Sequence, residues 1–292
     1  MENSNKSTDV SFVIIEYHCL NNLPHCIEAI RTNCIDINFE IIISSNSCYN
    51  TIKKKNIRDR YKNLIWIFNS KNLGFASAMN KGIKRAYGNV IILQNSDSII
   101  KNNKLSVAID ILKKYPKIGL IGPKIINKNN TIQDSCRNFL TPSRFFARLI
   151  NRFFIHKDMR LATCINEKSN YVDWVIGAFL IIPKRTIANI GMLNENYFLY
   201  VEDMDYCLRI WKKGMSVFYY HELEITFEGD RKSATKIKYT FMHIKNYLLF
   251  LINNWFNLDS CSNKRIKSLD AIPNVIEKKL IANIVEKELT GV

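Results

Sequence analysis

Over its first 120 or so residues the chain alternates short aliphatic runs with stretches of helical period, and few architectures accept that cadence. VSFVII (10–15), FEIII (39–43), LIWIF (64–68) and NVIIL (89–93) are short runs that give way to polar residues, so they read as strands, and IGLIG follows at 118–122. Between them lie a helix opened by Pro24, whose fixed φ suits a first turn, a helix over 74–87 with Gly88 just past its end, and a helix over 103–115 stopped by Pro116. Strand followed by helix, repeated, predicts an α/β fold with a largely parallel sheet covered on both faces. In such sheets ligands bind beyond the carboxyl ends of the strands. Glu16–His18, Ser44–Ser47, Asn69–Asn72 and Asn95–Ser98 are polar breaks after apolar strands, so the sequence places all four on one edge.

Composition narrows the class. A chain of 292 residues with 47% hydrophobic and 23% charged residues can bury a full core. The opening MENSNKSTDV is polar, unlike a secretory signal, and the longest notable apolar run, Tyr247 to Ile252, is far below the roughly 20 residues that cross a bilayer. The chain therefore reads as soluble or peripheral. Eight cysteines are scattered without a C-x-x-C pair, which suits free thiols in a reducing cytoplasm better than a zinc site. The net charge is +16, and residues 101–170 carry 14 Lys/Arg against 4 Asp/Glu, a local +10. Within that span, Arg137, Arg144, Arg148 and Arg152 interleave with paired phenylalanines, the pattern of an amphipathic helix with a cationic rim. Such a helix suits an anionic membrane surface, and a core-packing helix with one solvated face fits the pattern equally. No recognised motif accompanies the charge to support nucleic-acid binding.

Several stretches could carry chemistry. Asp97, in ILQNSDS, follows a buried strand and is flanked by Asn95 and Ser98, an oxygen donor set of the hard type that Mg²⁺ or Mn²⁺ prefers; an Asx turn or helix cap explains it as well. Glu202, Asp203 and Asp205 open a helix in YVEDMDYCLR, where capping and the helix dipole favour acids; a general base is the functional alternative. Arg209 stands four residues after Asp205, the spacing of an ion pair on one helix face. In DWVIGA, Trp174 could stack on a sugar and Gly177 could admit a ligand close to the backbone, with core packing the plainer account.

The combination and order of VSFVIIEYH, EIIISSNS, NLGFASAMNKGI, ILQNSD, GPKI, VDWVIGAFLIIPK and FLYVEDMDYCLRIWKKG, spanning about residues 10–232, closely resembles the inverting family-two glycosyltransferases of the GT-A fold, and among them the rhamnosyltransferase-like members that build bacterial surface polysaccharide. The resemblance implies a nucleotide-diphosphate sugar donor, bound at Tyr17, Glu16, Ser45, Asn46, Asn72, Gly74, Asn80, Asn95, Trp174 and Gly177. It implies a metal, Mg²⁺ or Mn²⁺, at Asp97, and a base from the Glu202–Asp203 pair, with Asp203 preferred. Four positions depart from the family pattern: Ser45 replaces an Asp, Glu16-Tyr17-His18 replaces Thr-Tyr-Asn, Ser96 replaces a Pro, and Phe227 stands where a His is common.

The expectation is thus a GT-A domain over 1–235, its nucleotide half at about 10–125 and its acceptor half at 126–235, followed by a helical extension over 236–292. The expected reaction moves a sugar, rhamnose from dTDP first and a hexose from UDP second, to a lipid-linked or saccharide acceptor. The expected place is the cytoplasmic face of a cell membrane, touched through the basic Phe/Arg segment 137–154 and the apolar stretch 239–256. A non-catalytic saccharide-binding or partner-binding GT-A protein and a basic nucleic-acid binder are the competing classes.

Overall fold

The structure is a computed structural model that describes residues 8–127, 129–139, 169–227 and 237–269. The basic segment 137–154 beyond Phe139, and the part of the expected helical extension beyond Leu269, lie outside the described residues.

Four parallel strands make one half of a mixed sheet: β1 (Val10–Glu16), β2 (Phe39–Ser45), β3 (Ile65–Phe68) and β4 (Val90–Asn95). They lie side by side in the order β3-β2-β1-β4. Strand β1 is covered on both faces, and Val10, Phe12, Val13 and Ile14 are all fully buried. That is why its sequence is an unbroken apolar run rather than an alternating one. The helices α1 (Leu23–Asn33), α2 (Thr51–Arg60) and α3 (Phe75–Ile83) connect these strands in turn. Pro24 lies in the first turn of α1 as its fixed φ requires, and Asn50 caps α2 by accepting the Lys53 N–H at 2.9 Å.

The helix expected over 74–87 ends at Ile83, so Gly88 is not its cap. Gly88 instead lies against β1: its N–H donates to Ser11 Oγ at 2.8 Å, and a Cβ there would come within 2.6 Å of the Ser11 nitrogen. The sequence signal was real but its cause was close strand contact, not a left-handed turn.

The other half of the sheet is antiparallel at its junction. It contains β5 (Ser98–Ile100), β6 (Ile118–Ile126), β8 (Asn170–Tyr171), β10 (Phe179–Pro183) and β11 (Ser216–Phe227), with a small separate ladder of β7 (Cys136–Arg137) and β9 (Trp174–Val175). Strand β10 runs antiparallel to β4, pairing Phe179 with Gln94. Helix α4 (Leu105–Lys114) precedes β6, α5 (Lys184–Ile190) follows β10, and α6 (Glu202–Lys212) leads to β11 through Gly214 at φ +74°. A long helix, α7 (Ile237–Leu269), closes the described chain and packs against α6.

The connections leave β1 toward β2 and β3 on one side and return to β4 on the other. The gap beyond the carboxyl ends of β1 and β4 is therefore a topological switch point, where open α/β sheets hold ligands.

Candidate active site

A cleft of about 920 Å³ opens at that switch point. Tyr17, His18 and Cys19 after β1, Asn46 after β2, Asn72 and Gly74 before α3, and Asn95, Ser96 and Asp97 after β4 all line it. The sheet edge read from the sequence is thus one wall of a real cavity. The opposite wall is Phe198, Leu199, Tyr200, Thr226, Phe227 and Tyr239.

Ser96 and Asp97 are the two residues between β4 and β5, and α4 begins only at Leu105, so Asp97 caps no helix. The carboxylate is close enough to disfavour the thiolates of Cys19 and Cys26 electrostatically. Asn95 Oδ1 is buried and has no hydrogen-bond partner among the described residues. An orphaned amide oxygen two residues from a cleft carboxylate fits an oxygen-coordinated divalent cation. Among the described residues no group of three or more His, Cys, Asp or Glu side chains could hold a metal, so a cation here would take the rest of its ligands from substrate and water.

Several residues expected to touch a donor do structural work instead. Ser45 is buried and spends its hydroxyl on Glu16 Oε2 at 2.5 Å. Glu16 is fully buried and also accepts from Ser47 Oγ, Tyr49 Oη and the Cys19 N–H. The pair forms the floor beneath the cleft rather than its lining. Asn80 is buried with both amide atoms engaged: its Oδ1 accepts the Leu193 N–H, and its Nδ2 donates to Leu193 O and Glu195 Oε1. It clamps the loop before α6 and has no surface to offer a ligand. Asn46 lines the cleft, but its Nδ2 bonds Gly74 O and its Oδ1 accepts from Asn69. Trp174 is 8% exposed, with the Arg137 guanidinium 5.3 Å from its ring centre, so a sugar has little of the ring to stack on. A Cβ on Gly177 would meet only ordinary contacts, so close ligand approach does not explain that glycine.

What the Gly177 backbone does is more informative. Its N–H donates to Asp203 Oδ2 at 2.7 Å, while Asp203 Oδ1 accepts the Met204 N–H at 2.8 Å. The next residue, Ala178, accepts from the Asn95 N–H at 3.1 Å and from Ser98 Oγ at 3.0 Å. The dipeptide Gly177-Ala178 therefore ties Asp203 to both ends of the Asp97 turn. Asp203 does not line the cleft itself; it lies beside Gly177, whose other neighbour is the ring of the cleft residue Phe75.

The loop that delivers Asp203 is strained and held from several sides. Tyr200 and Val201 have φ of +71° and +77°, a left-handed conformation costly for a β-branched residue. Phe198 O accepts the Phe75 N–H, Leu199 O accepts from Asn246 Nδ2, and the Tyr200 ring packs 4.9 Å from that of His243. Gly74 belongs to the same lock: its φ is +81° and a Cβ would stand 2.2 Å from Phe198 O. Sequence reading missed His243 and Arg137 as neighbours of Asp203 and His25 as a cleft residue, whereas His18 belongs to the Glu16–His18 break it placed on this edge. His25 was within reach of the sequence, since the first turn of α1 must face the switch point. His243 was not, because nothing local says where a C-terminal helix docks.

Burial raises both acids of the pair. Glu202 is pushed up to about 8 by burial and by the adjacent Asp203 charge, and its Oε2 has no hydrogen-bond partner among the described residues. Asp203 is raised by burial, against the two backbone N–H bonds and the Arg137 charge that favour its ionised form. Burial holds His243 below its ordinary value, with the Asp203 charge opposing. Asp205 pairs with Arg209 at 2.9 Å, and Arg209 also caps Ile190 O and Met192 O, so this acid is structural, as its spacing suggested. The arrangement offers an oxygen-lined anchor at Asp97 and, across one dipeptide, a raised carboxylate able to take a proton.

Comparison with known proteins points the same way. The model of Glycosyl transferase family 2 matches residues 11–165. The chain is 22% identical over 181 residues to the N-acetylglucosaminyl-diphospho-decaprenol L-rhamnosyltransferase of Mycobacterium tuberculosis, covering 57% of this chain and 59% of that protein. It is 23% identical over 248 residues to the rhamnosyltransferase WbbL of Escherichia coli, covering 78% and 90%. Among solved structures, GalNAc-T7 with UDP, GalNAc and Mn²⁺ superposes with a TM-score of 0.57 at 14% identity, over 76% of this chain and 44% of that one, a likeness of fold.

Proposed function

The chain belongs to glycosyl transferase family 2 and has the GT-A fold, and from that premise we propose that it transfers a sugar from a nucleotide-diphosphate donor to an acceptor hydroxyl with inversion. The observation that carries the reading is the Gly177-Ala178 bridge, which binds a candidate base to a candidate diphosphate anchor. The donor lies along the carboxyl ends of β1, β2 and β4, between Tyr17, Asn72 and Asp97. The acceptor hydroxyl approaches from the Asp203 side. Asp203 removes its proton as the oxygen attacks the anomeric carbon, and the bond to the nucleoside diphosphate breaks. The fixed N–H bonds from Gly177 and Met204 keep the carboxylate aimed throughout. Asp97 and Asn95 would hold Mg²⁺ or Mn²⁺, which when bound offsets the charge gathering on the departing diphosphate.

Rhamnose is the leading sugar because two of the relatives are named rhamnosyltransferases, and dTDP is the carrier that the family resemblance implies. A UDP-hexose is the second choice. The acceptor is a lipid-linked saccharide, as the name of the mycobacterial relative suggests, and the enzyme works at a membrane surface. A thermal-shift panel of dTDP- and UDP-sugars with and without Mn²⁺, followed by transfer assays on the donors that bind, tests the proposal. A metal-dependent shift by one donor class, with turnover lost in Asp203→Asn, supports it. A wild-type protein that no nucleotide sugar stabilises, and that transfers none, defeats it.

A further inference from the structure

Among the described residues, helix α7 carries an exposed apolar face. Phe241, Ile244, Leu248, Leu249 and Ile252 are 69, 53, 52, 39 and 77% exposed. Their spacing places them on one side of the helix, over about 17 Å from Phe241 to Ile252. The opposite side is built into the protein: Asn246, Phe250, Asn254 and Leu258 are buried, and Phe250 packs 6.4 Å from Phe139. The polarity is inverted for a surface helix, whose outward side should be hydrophilic. Its charge is one-sided too. From Ile237 to Leu258 there is no Asp or Glu, and the charged residues are Lys238 and Lys245.

We infer that this face docks on an anionic lipid bilayer and, in doing so, sets the mouth of the cleft against the membrane. The helix is not long and apolar enough to cross a membrane, so it lies along the surface. Apolar side chains without accompanying acids, beside lysine, match the boundary between anionic headgroups and acyl chains. A second protein copy would be served equally by the apolar area but gains nothing from excluding acids. The orientation follows from the helix's own ties. Tyr239 in its first turn lines the cleft, Asn246 holds Leu199 O, and His243 packs on Tyr200, two residues before Glu202. A bilayer touching Phe241 and Ile244 therefore lies next to the Asp203 side, where a lipid-anchored acceptor would present its hydroxyl. This placement of the acceptor rests on the proposed transfer reaction; the docking itself does not.

Sedimentation of the full chain with phosphatidylglycerol-containing vesicles and with phosphatidylcholine vesicles tests the surface, comparing wild type with Leu248→Glu/Ile252→Glu. Both residues are exposed, so the variant should melt with the wild type, and its donor-induced thermal shift serves as the folding control. Wild type should pellet with the anionic vesicles, and the variant's partitioning should fall by about tenfold or more. If wild type stays in the supernatant with both vesicle types, or the variant pellets as well as wild type, the inference is wrong. A wild-type dimer that the variant converts to monomer, without vesicle binding, assigns the face to a second copy instead and also overturns it. Asp203→Asn should pellet like wild type. Vesicle binding without any donor-induced shift would leave the surface standing and remove the transferase reading.

Discussion

Two buried acidic centres on either side of the cleft are treated in opposite ways. Glu16, beneath the floor, accepts hydrogen bonds from Ser45, Ser47, Tyr49 and the Cys19 backbone. Glu202 and Asp203 are buried nearly as well, yet one Glu202 oxygen has no hydrogen-bond partner among the described residues and burial raises both groups. A buried carboxylate ringed by donors is a fastening, because its charge is already satisfied and its geometry fixed. A buried carboxylate whose charge burial disfavours more than its hydrogen bonds support is poised to hold or take a proton, which is how working sites differ from structural ones.

The largest expected effect breaks the poised side. Asp203→Asn can keep only one of the two backbone N–H bonds, at its amide oxygen, and loses the base, so kcat should fall by about 10²–10⁴ while the donor-induced thermal shift persists. In wild type, the acid limb of the kcat/KM profile should lie above the ordinary aspartate value of about 3.9, since burial raises Asp203 and only its ionised form takes a proton. Asp97→Asn should remove the Mn²⁺-dependent part of the donor shift and lower transfer by roughly 10²-fold or more, read by titrating Mn²⁺ against the melting temperature.

The fastening gives a different response. Glu16→Gln swaps a satisfied carboxylate for an amide among hydroxyl donors, and should cost about 2 kcal/mol, a melting point lower by roughly 5 °C in calorimetry. Turnover per folded molecule should suffer far less than in Asp203→Asn. The last effect, a change in pH dependence rather than a loss of turnover, lies with Glu202. Its proton is held to about 8 in the fold but released near 4.5 in an ordinary glutamate, so its contribution to stability is full below pH 4.5 and is lost as pH rises to about 8. Glu202→Gln cannot ionise, so its melting temperature should fall less than that of wild type between pH 5 and about 8.5. Parallel melting curves for the two proteins across that range would show that burial does not raise Glu202.

Much of the fold was legible because its cause is local. Unbroken apolar strands announce a sheet buried on both faces, and the polar ends of β1, β2 and β4 became one cleft wall because parallel strands end on one side. The same logic failed for individual polar residues. Ser45 and Asn80 match positions expected to bind a donor, but a side chain's partner depends on what the fold brings opposite. Here Glu16 from β1 and the 193–195 loop were closer than any ligand.

The sequence by itself determined the alternating α/β layout, the switch-point edge and the Asp205–Arg209 pair, since each follows from chain periodicity or short-range spacing, while its resemblance to a known family singled out the candidate carboxylates at 97 and 203. Tertiary structure alone decided which acid is satisfied and which is not, that the Gly177-Ala178 backbone joins the two sites, and that His243 and Arg137 stand near the base. Those facts depend on antiparallel pairing of β10 with β4 and on where a distant helix docks. Both are long-range packing outcomes, and no local pattern in the chain encodes them.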